Sequence, residues 1–456
     1  MERLNQYERN ENIYKGNHLE VWGNGLSKEQ KEKYITHNYA RLIPNFFTDL
    51  LTSKNPHFVV QNEKRQEWVD SFTFNEKIQR KITGFITWGL VLGDAVIRTT
   101  YRKRNKRQGK PSTTIDFIHP KYYFPIFSEW DQAEIEENVL IFEKENKEGT
   151  KIRRIERDTY NKYITTVEEK RKGQKDYTVV SKEEINHSEG FLIQYVKFTD
   201  NIFDFWGQSI YKDLEGIFKE LNYRTTTIKM VLDAHGNPRI LVPPAIFNEL
   251  FGGEDELNKD NEGRVYGTVG DLDVWLYDEE VDGNKPEYLE WDGKIEAAMQ
   301  FFKEELNALA VLTGLTTDIL RTEDRTTAKS GTALKVSLLQ ALNFASKIEK
   351  IISNPLKEAL YKAQKLEIKY GNELKGEAEW VEIIFNRGLP VDKEETEIEL
   401  MKYREKIQSK KMTMKKVNNL NSRQLEQEKE DIKEDIQEEI HSMGRRIPPL
   451  DINFDE

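Results

Sequence analysis

The stretch LRTEDRTTAKSGTAL, from Leu320 to Leu334, decides how the middle of this chain is organised. It is polar, carries charges of both signs and contains Ser-Gly-Thr near its end. The segments on either side, residues 295–315 and 334–363, repeat apolar residues at helical spacing. Connections between helices are usually short, so a polar insertion of this length predicts a loop with a role of its own. Ser330 and Gly331 then mark the start of the next helix.

A small insert between two helices precedes this loop. A helical pattern begins at Ser209 and is stopped by Gly236 and Pro238. The residues that follow, to about Trp291, are rich in turn formers and contain three strand patterns, RILVP, GRVYGTV and LDVWLYD. Two helices that flank such an insert can pair antiparallel, and we expect the insert to lie at their far end.

The N-terminal part combines helices with strands. Helical patterns cover residues 35–56 and 75–92. Residues 94–198 contain short β-branched and aromatic runs separated by turn residues, which is typical of half-buried antiparallel strands. The predicted fold class is therefore α+β and rich in helix.

The C-terminal part is predicted to be mainly helical. The helix that follows Leu334 contains Pro355, which removes a backbone donor and predicts a kink. The sequence EWVEIIFN predicts a strand, and Asp392 can cap a further helix with Glu395 in the capping-box position. A basic run, residues 406–416, precedes an acidic helix. We favour electrostatic pairing between these two segments over DNA binding by the basic run.

Composition limits the classes of function. The 456 residues carry a formal net charge of −11 and include no cysteine. An acidic chain is not typical of proteins that grip nucleic acid, and the lack of cysteine excludes disulfides, thiolate zinc sites and cysteine nucleophiles. The first residues lack the apolar core of a signal peptide, and no segment is apolar for long enough to cross a bilayer. We therefore expect a cytosol-like location and no membrane partner.

No arrangement of residues in the sequence predicts catalysis. The seven histidines are scattered, and the sequence has no phosphate-binding loop, zinc-protease helix motif or nucleophile elbow. The carboxylates of residues 270–282 could hold a divalent cation, but solvated loop acids are more common. The basic run at residues 102–110 could contact nucleic acid or an acidic partner, but we favour a solvated hairpin tip. The sequence thus predicts no cofactor, no metal site and no enzymatic activity.

Three stretches, in this order along the chain, resemble the portal proteins of long-tailed (siphovirus-type) double-stranded DNA bacteriophages. They are ITHNYARLIPNFFTDLLTSKNP (Ile35–Pro56), TGLTTDILRTEDRTTAKSGTALKVSLLQALNFASKIEK (Thr313–Lys350) and MTMKKVNNLNSRQLEQEKEDIKEDIQEE (Met412–Glu439). The first is similar to the N-terminal helix of that family and the second to its hallmark polar loop and long helix. The third is similar to its helical C-terminal end. Between Gly253 and Glu290 only the general order of elements matches.

The resemblance implies a ring oligomer, a dodecamer in the virion, with a wing, stem, clip and crown around a central channel. The implied boundaries are 1–205 wing (strand-rich over 94–198), 206–236 first stem helix, 237–291 clip, 292–314 second stem helix, 315–333 tunnel loop, 334–389 long helix and strand of the wing, and 390–456 crown and C-terminal tail. Genomic DNA would pass through the channel during packaging and ejection, without sequence-specific contacts.

The resemblance also implies which residues meet DNA and partner proteins. The tunnel loop would face DNA with Arg321, Thr322, Arg325, Lys329 and Ser330. The clip would present an acidic partner surface made of Asp271, Asp273, Asp278 and Glu279. A few cations diluted by neighbouring carboxylates would contact passing DNA weakly. The alternative for the loop is an ordinary exposed connection with solvated charges.

The implied partners are a terminase, whose ATPase would supply the packaging energy, the major capsid or scaffold protein, and a head–tail adaptor. The implied location is the capsid vertex of the virion, after assembly in the host cytoplasm. Two other functions stay open. One is a non-catalytic scaffold or adaptor for head assembly, and the other is an enzyme of the packaging apparatus, against which the missing catalytic motifs count.

Overall fold

A computed structural model shows helices combined with mostly antiparallel sheets. It describes residues 2–102, 111–131, 134–199, 204–236, 240–242, 258–259, 265–269, 272–276, 287–288, 295–320, 338–371, 373–385, 400–407, 409–417, 425, 428–434 and 436. The chain divides into two units, one formed by residues 1–325 with 338–388 and the other by residues 326–337 with 389–456. The mixture of helix and sheet confirms the predicted α+β class.

Helices make up most of the described chain. They are α1 (Glu2–Lys15), α2 (His18–Trp22), α3 (Lys28–Glu32), α4 (Tyr39–Thr52), α5 (Glu63–Asn75), α6 (Ile78–Leu92), α7 (Glu215–Gly236), α8 (Ile295–Thr313), α9 (Thr317–Leu320), α10 (Leu339–Tyr370) and α11 (Lys410–Val417). Short polar side chains fix several starts. Asn38 Oδ1, for example, accepts the Arg41 backbone N–H at 3.1 Å and so satisfies one of the free donors at the start of α4.

The described strands form four sheets. They are β1 (His57–Val59), β2 (Asp94–Arg102), β3 (Ser112–Ile118), β4 (Ile126–Phe127), β5 (Ile135–Glu145), β6 (Lys151–Asp158), β7 (Lys162–Lys170), β8 (Thr178–Asn186), β9 (Ile193–Lys197), β10 (Ile240–Val242), β11 (Asn258–Lys259), β12 (Val265–Val269), β13 (Leu272–Leu276), β14 (Glu287–Tyr288) and β15 (Glu382–Ile384). β1 pairs with β15, and a three-stranded sheet has the order β3-β2-β9. The order β4-β5-β6-β7-β8 forms what we call the hairpin sheet, and β11-β12-β13-β10-β14 forms the insert sheet.

The core of the first unit lies where α10 packs on the three-stranded sheet and on α4. Phe344 of α10 meets Phe47 of α4 with ring centroids 4.6 Å apart. Helix α6 ends at Gly93, whose φ of 87° lies in the left-handed region. A Cβ atom at Gly93 would lie 2.5 Å from the carbonyl carbon of Gln208, so only glycine fits this junction between α6 and β2.

The predicted order of helix, strand-containing insert and helix is confirmed. Helix α7 precedes the insert and α8 follows it, and the three strand patterns of the insert correspond to β10, β12 and β13. The start of α7 differs from the prediction, because residues 210–214 form turns and the helix begins at Glu215. Helix α10 continues through Pro355, and the kink there stays a prediction.

Several elements lie outside the predicted set, among them α5, α9, β1 and β8. Helix α5 was not predicted, because its apolar residues are few; Trp68, Val69 and Phe72 are the buried ones. Strand β8 was not predicted, because it is exposed along most of its length and its sequence does not alternate apolar and polar residues. Strand β15 confirms the strand predicted in EWVEIIFN. Strands β2 and β3, on either side of residues 103–110, pair antiparallel up to Arg102 and Ser112. Residues 103–110 lie outside the described part of the chain, and the solvated hairpin tip stays a prediction.

The second unit contains α11 and shorter helical segments at residues 400–404 and 428–434. Thr413, Leu425 and Lys429 are its buried residues within the described part of the chain. The predicted cap at Asp392 lies outside the described residues. Pairing between the basic run and the acidic helix stays a prediction.

Candidate functional site

The residues predicted to face DNA or partner proteins lie almost entirely outside the described part. That set comprises Arg321, Thr322, Arg325, Lys329, Ser330, Asp271, Asp278 and Glu279. Asp273 lies in β13, where its backbone pairs with Thr268, and its side chain is not described. These site residues stay predictions. The structure instead describes how the two ends of the predicted loop are held.

The segments that precede and follow the predicted loop contact each other. Gly314 follows α8 with a φ of 69°, in the left-handed region. A Cβ atom at Gly314 would lie 3.2 Å from the Cβ atom of Gln340 in α10. Glycine suits this position because it tolerates the left-handed backbone and lets the two segments approach. The end of α8 therefore contacts the beginning of α10, although the loop separates them in sequence.

Buried leucines lie at the nearest described positions on either side of the predicted DNA-facing residues, Arg321 to Ser330. Leu320 ends α9 and is 7% exposed, and Leu338 precedes α10 and is 8% exposed. Leu320 belongs to the main core together with Leu309 of α8 and Ala341 of α10. Moving either leucine into water would lose the free energy of its burial. Leu320 and Leu338 therefore belong to the buried part of the protein, and we call them the anchors of the predicted loop.

The helices α7 and α8 pack against each other and against the N-terminal segment. The Arg224 guanidinium of α7 lies over the Phe301 ring of α8, 4.8 Å from its centroid. Asn222 of α7 accepts the His37 backbone N–H at 2.7 Å and contacts Nδ1 of His18 at 2.7 Å. The segment before α4 thus holds the helix pair in place.

Helix α8 leaves apolar side chains uncovered. Val311 is 77% exposed, and Met299, Phe301 and Leu312 are exposed as well. Leu339 at the start of α10 adds a further exposed apolar side chain. Several large exposed apolar side chains on one helix favour contact with another protein.

A network of buried charges joins the hairpin sheet to the three-stranded sheet. Glu156 of β6 is fully buried and accepts hydrogen bonds from Arg98 Nη1 at 2.6 Å and from the Tyr163 hydroxyl. Arg98 of β2 also pairs with Asp116 of β3 at 2.9 Å. Burial by itself raises the pKa of Glu156, but the guanidinium groups of Arg98 and Arg154 lower it overall. Because no substrate can reach Glu156, the network is a cross-link between sheets.

A second buried pair lies near the same end of the hairpin sheet. Asp158 Oδ1 and His187 Nε2 are 3.4 Å apart, and both side chains are fully buried. Asp158 Oδ2 accepts the Ile193 backbone N–H at 2.6 Å. Burial raises the pKa of Asp158 from 3.8 to about 6. Carboxylate–histidine pairs occur in active sites, but this one is closed to solvent and holds the loop before β9.

A third buried carboxylate anchors the N-terminal helix. Asp94 at the start of β2 accepts hydrogen bonds from the Tyr7 hydroxyl at 2.5 Å, from the Tyr195 hydroxyl and from the Gly207 backbone N–H at 2.7 Å. Burial raises the pKa of Asp94. Sequence reasoning missed all three carboxylates. A signal for them was present in the sequence, because strand patterns such as KIRRIERD are dense in charged residues. Successive side chains of a strand point to opposite faces, so some of these charges must be buried and need partners.

Within the described ranges, no three or more His, Cys, Asp or Glu side chains come together as ligands for a metal ion. Among the described helices, none combines the length and apolar character needed to span a bilayer.

Comparison with known proteins shows a match to a protein family. A family model described as phage portal protein, SPP1 Gp6-like, matches residues 1–442. No curated protein matches the chain. The matched range includes the predicted loop, both of its buried anchors and the insert between α7 and α8.

Proposed function

The chain belongs to the SPP1 Gp6-like family of phage portal proteins, and on that premise we propose that its copies form a ring around a channel for genomic DNA. It is thus a portal protein of a siphovirus-type phage, with the family's role in DNA packaging at the capsid vertex. The family is structural and in general not catalytic. The observation that carries the proposal is the match across residues 1–442.

The proposed ring is a dodecamer in the virion, and α7 and α8 are its stem helices. The exposed apolar side chains of α8, Val311 and Leu312 above all, support this proposal because a neighbouring copy would remove them from water. Burial of these apolar side chains in each interface between neighbouring copies would stabilise a closed ring.

The tunnel loop, residues 315–333, is the proposed contact with DNA in the channel. Arg321, Arg325 and Lys329 would meet phosphates, and Glu323 and Asp324 would keep those contacts weak. The buried anchors at Leu320 and Leu338 support this role, because they allow the loop to touch moving DNA while the core stays fixed. Weak contacts without sequence readout suit a channel through which a whole genome passes.

The remaining parts of the family plan are proposed on the same premise. Residues 237–291 form the clip, with Asp271, Asp273, Asp278 and Glu279 as its partner surface. The wing comprises residues 1–205 and 334–389, and residues 390–456 form the crown and tail. The proposed partners are a terminase, the major capsid or scaffold protein, and a head–tail adaptor, with assembly in the host cytoplasm.

Electron microscopy of the purified full-length protein tests the ring. We expect closed rings with an open central channel. Monomers or open filaments at every protein concentration would contradict the portal proposal and favour a scaffold or adaptor. ATPase and nuclease assays of the same sample should give no activity.

Deletion of residues 322–329 tests the loop. Because the anchors lie outside the deletion, rings should form as in the unchanged protein, while packaging or retention of DNA should fall at least about tenfold, since the proposed phosphate contacts are removed. Deletion of residues 103–110, a second polar loop between paired elements, is the matched control and should leave packaging intact. Loss of rings in the 322–329 deletion would show that the segment is structural.

A further inference from the structure

Two neighbouring turns of the hairpin sheet enclose a groove. Residues 146–150 connect β5 to β6, and residues 171–177 connect β7 to β8. The space between the turns has a volume of about 650 Å³. Its cationic lining consists of Lys147, Lys151, Lys170, Arg171 and Lys172, and its carboxylates are Glu145 and Glu148. We call this the basic groove, because positive charge predominates there although the chain as a whole is acidic.

The cations of the basic groove lack carboxylate partners. None of the five forms an ion pair with another residue of the described chain. Further along the same sheet, cations are matched: Arg153 meets Glu168 at 2.7 Å and Arg157 meets Glu137 at 3.2 Å. The positive charge of the groove is therefore available to a ligand.

Strand register places like charges opposite each other at the groove. Lys151 of β6 and Lys170 of β7 are direct cross-strand partners. Like charges in this relation destabilise an antiparallel pair. Lys151 also faces Glu145 of β5 across the strand pair, and Lys170 Nζ lies 5.7 Å from the centroid of the Tyr177 ring, so the repulsion is partly offset. A like-charge pair at an exposed end of a sheet still favours a binding role, because local rules of stability are most often broken at functional sites.

The amide side chains of the groove also present hydrogen-bond donors. Asn146 Oδ1 accepts the backbone N–H groups of Glu148 at 3.0 Å and Thr150 at 2.9 Å. Gln174 Oε1 accepts the Arg171 backbone N–H at 3.1 Å. Because both amide oxygens already accept backbone N–H groups, the NH₂ groups of Asn146 and Gln174 remain as donors, and donors with positive charge nearby suit an anion.

We propose that the basic groove binds the phosphate backbone of nucleic acid without reading its sequence. This site is separate from the proposed tunnel loop, residues 315–333, and it rests on the proposed function only for the identity of the polyanion, packaged DNA. Sequence-independent binding to a phosphate backbone is supplied mainly by lysine and arginine. An acidic protein would be expected to place aromatic anchors in such a site, because tryptophan and tyrosine are enriched among the residues that carry most of the energy of protein interfaces. The aromatic lining of the groove is Tyr177, and its ring already contacts the Arg153 guanidinium at 4.1 Å and Lys170 Nζ at 5.7 Å.

The test measures binding of full-length protein to a fluorescent DNA duplex of mixed sequence, between about 50 and 200 mM salt. The groove variant is Lys151→Gln/Lys170→Gln/Lys172→Gln. The matched control is Lys31→Gln/Lys54→Gln/Lys64→Gln, which removes the same charge from exposed positions elsewhere. The groove variant should bind at least about tenfold more weakly, and its slope of log affinity against log salt should shrink by about 2–3. The control should bind like the unchanged protein.

Equal loss of affinity in both variants would overturn the proposal, because overall charge would then explain binding. Polyglutamate that binds as tightly as the duplex, through the same three lysines, would also overturn it in favour of an acidic protein. Lys172→Glu alone provides a second variant, because Lys172 lies in a turn outside the strand pairing, and it too should weaken DNA binding. Ring formation, observed by electron microscopy, should be unchanged in all variants, so failure of the groove and failure of the portal ring are distinguishable.

Discussion

The two ends of the hairpin sheet differ in whether their charged side chains are buried and paired or exposed and unpaired. At one end Glu156 is fully buried and bonded to Arg98 at 2.6 Å, and at the other Lys151 stands opposite Lys170 in an open groove. The same two strands, β6 and β7, carry both arrangements. An unpaired charge is very costly in the interior, whereas water screens it at the surface. Charges at the buried end must therefore be paired with opposite charges. Charges at the exposed end need no such partner and can bind a ligand.

The largest effect is expected at the buried end. Glu156→Gln keeps the shape of the side chain but leaves Arg98 without its closest charged partner. Removing one member of a buried ion pair lowers the free energy of unfolding by about 3–5 kcal/mol. Urea denaturation measures the change. Glu148→Gln in the exposed turn is the control and should stay within about 0.5 kcal/mol, and equal losses in the two variants would contradict the comparison.

A smaller, pH-dependent effect is expected at Asp158, two residues further along β6. Its folded-state pKa is raised to about 6 from 3.8, so the folded protein holds a proton that the unfolded chain has released. The free energy of unfolding therefore falls as the pH rises from about 4 to about 6, and the contribution is constant above that window.

Asp158→Asn removes this titration. The difference in unfolding free energy between the variant and the unchanged protein should move by about 2–3 kcal/mol across that window, in favour of the variant at the higher pH. Denaturation curves at a series of pH values measure it. Asp176→Asn in the exposed turn should give curves parallel to the unchanged protein, and parallel curves for Asp158→Asn would refute the assignment.

The smallest effect on stability is expected at the groove. Lys170→Gln relieves the repulsion from Lys151 and should raise the free energy of unfolding by a few tenths of a kcal/mol, about 0.2–0.5. Lys182→Gln, on the neighbouring strand β8, is the control and should change nothing measurable. A clear loss of stability in Lys170→Gln would show that Lys170 stabilises the sheet, which would contradict a role in binding alone.

The predicted loop illustrates which features of a site can be predicted from the sequence and which cannot. Its polar composition and its position between two helices predicted an excursion between residues 320 and 334. The contact of Gly314 with Gln340 was not predictable, because it depends on how α8 packs against α10. The helical neighbours Leu320 and Leu338 read as ordinary apolar residues in sequence, and only packing identifies them as anchors.

Strand β8 and helix α5 mark the limit of pattern reading in the fold. Val179 and Val180 of β8 are more than half exposed, so the strand has no buried face that would produce alternation. It forms because β7 offers it a full set of backbone partners. In α5 the buried Trp68 and Phe72 stack at 4.7 Å, a contact that holds a helix whose sequence is mostly charged and polar.

The sequence by itself determined the order of helices and strands, the polar loop and the membership of a portal family, because periodicity, turn residues and ordered motifs are local. It did not determine which charges are buried. Glu148 and Glu156 lie in the same short stretch of chain, yet one is exposed in a turn and the other is sealed between two sheets. Likewise, Lys151 and Lys170 share a groove only because β6 and β7 pair in one register. Burial and juxtaposition depend on contacts between distant segments, and those exist only in the folded chain.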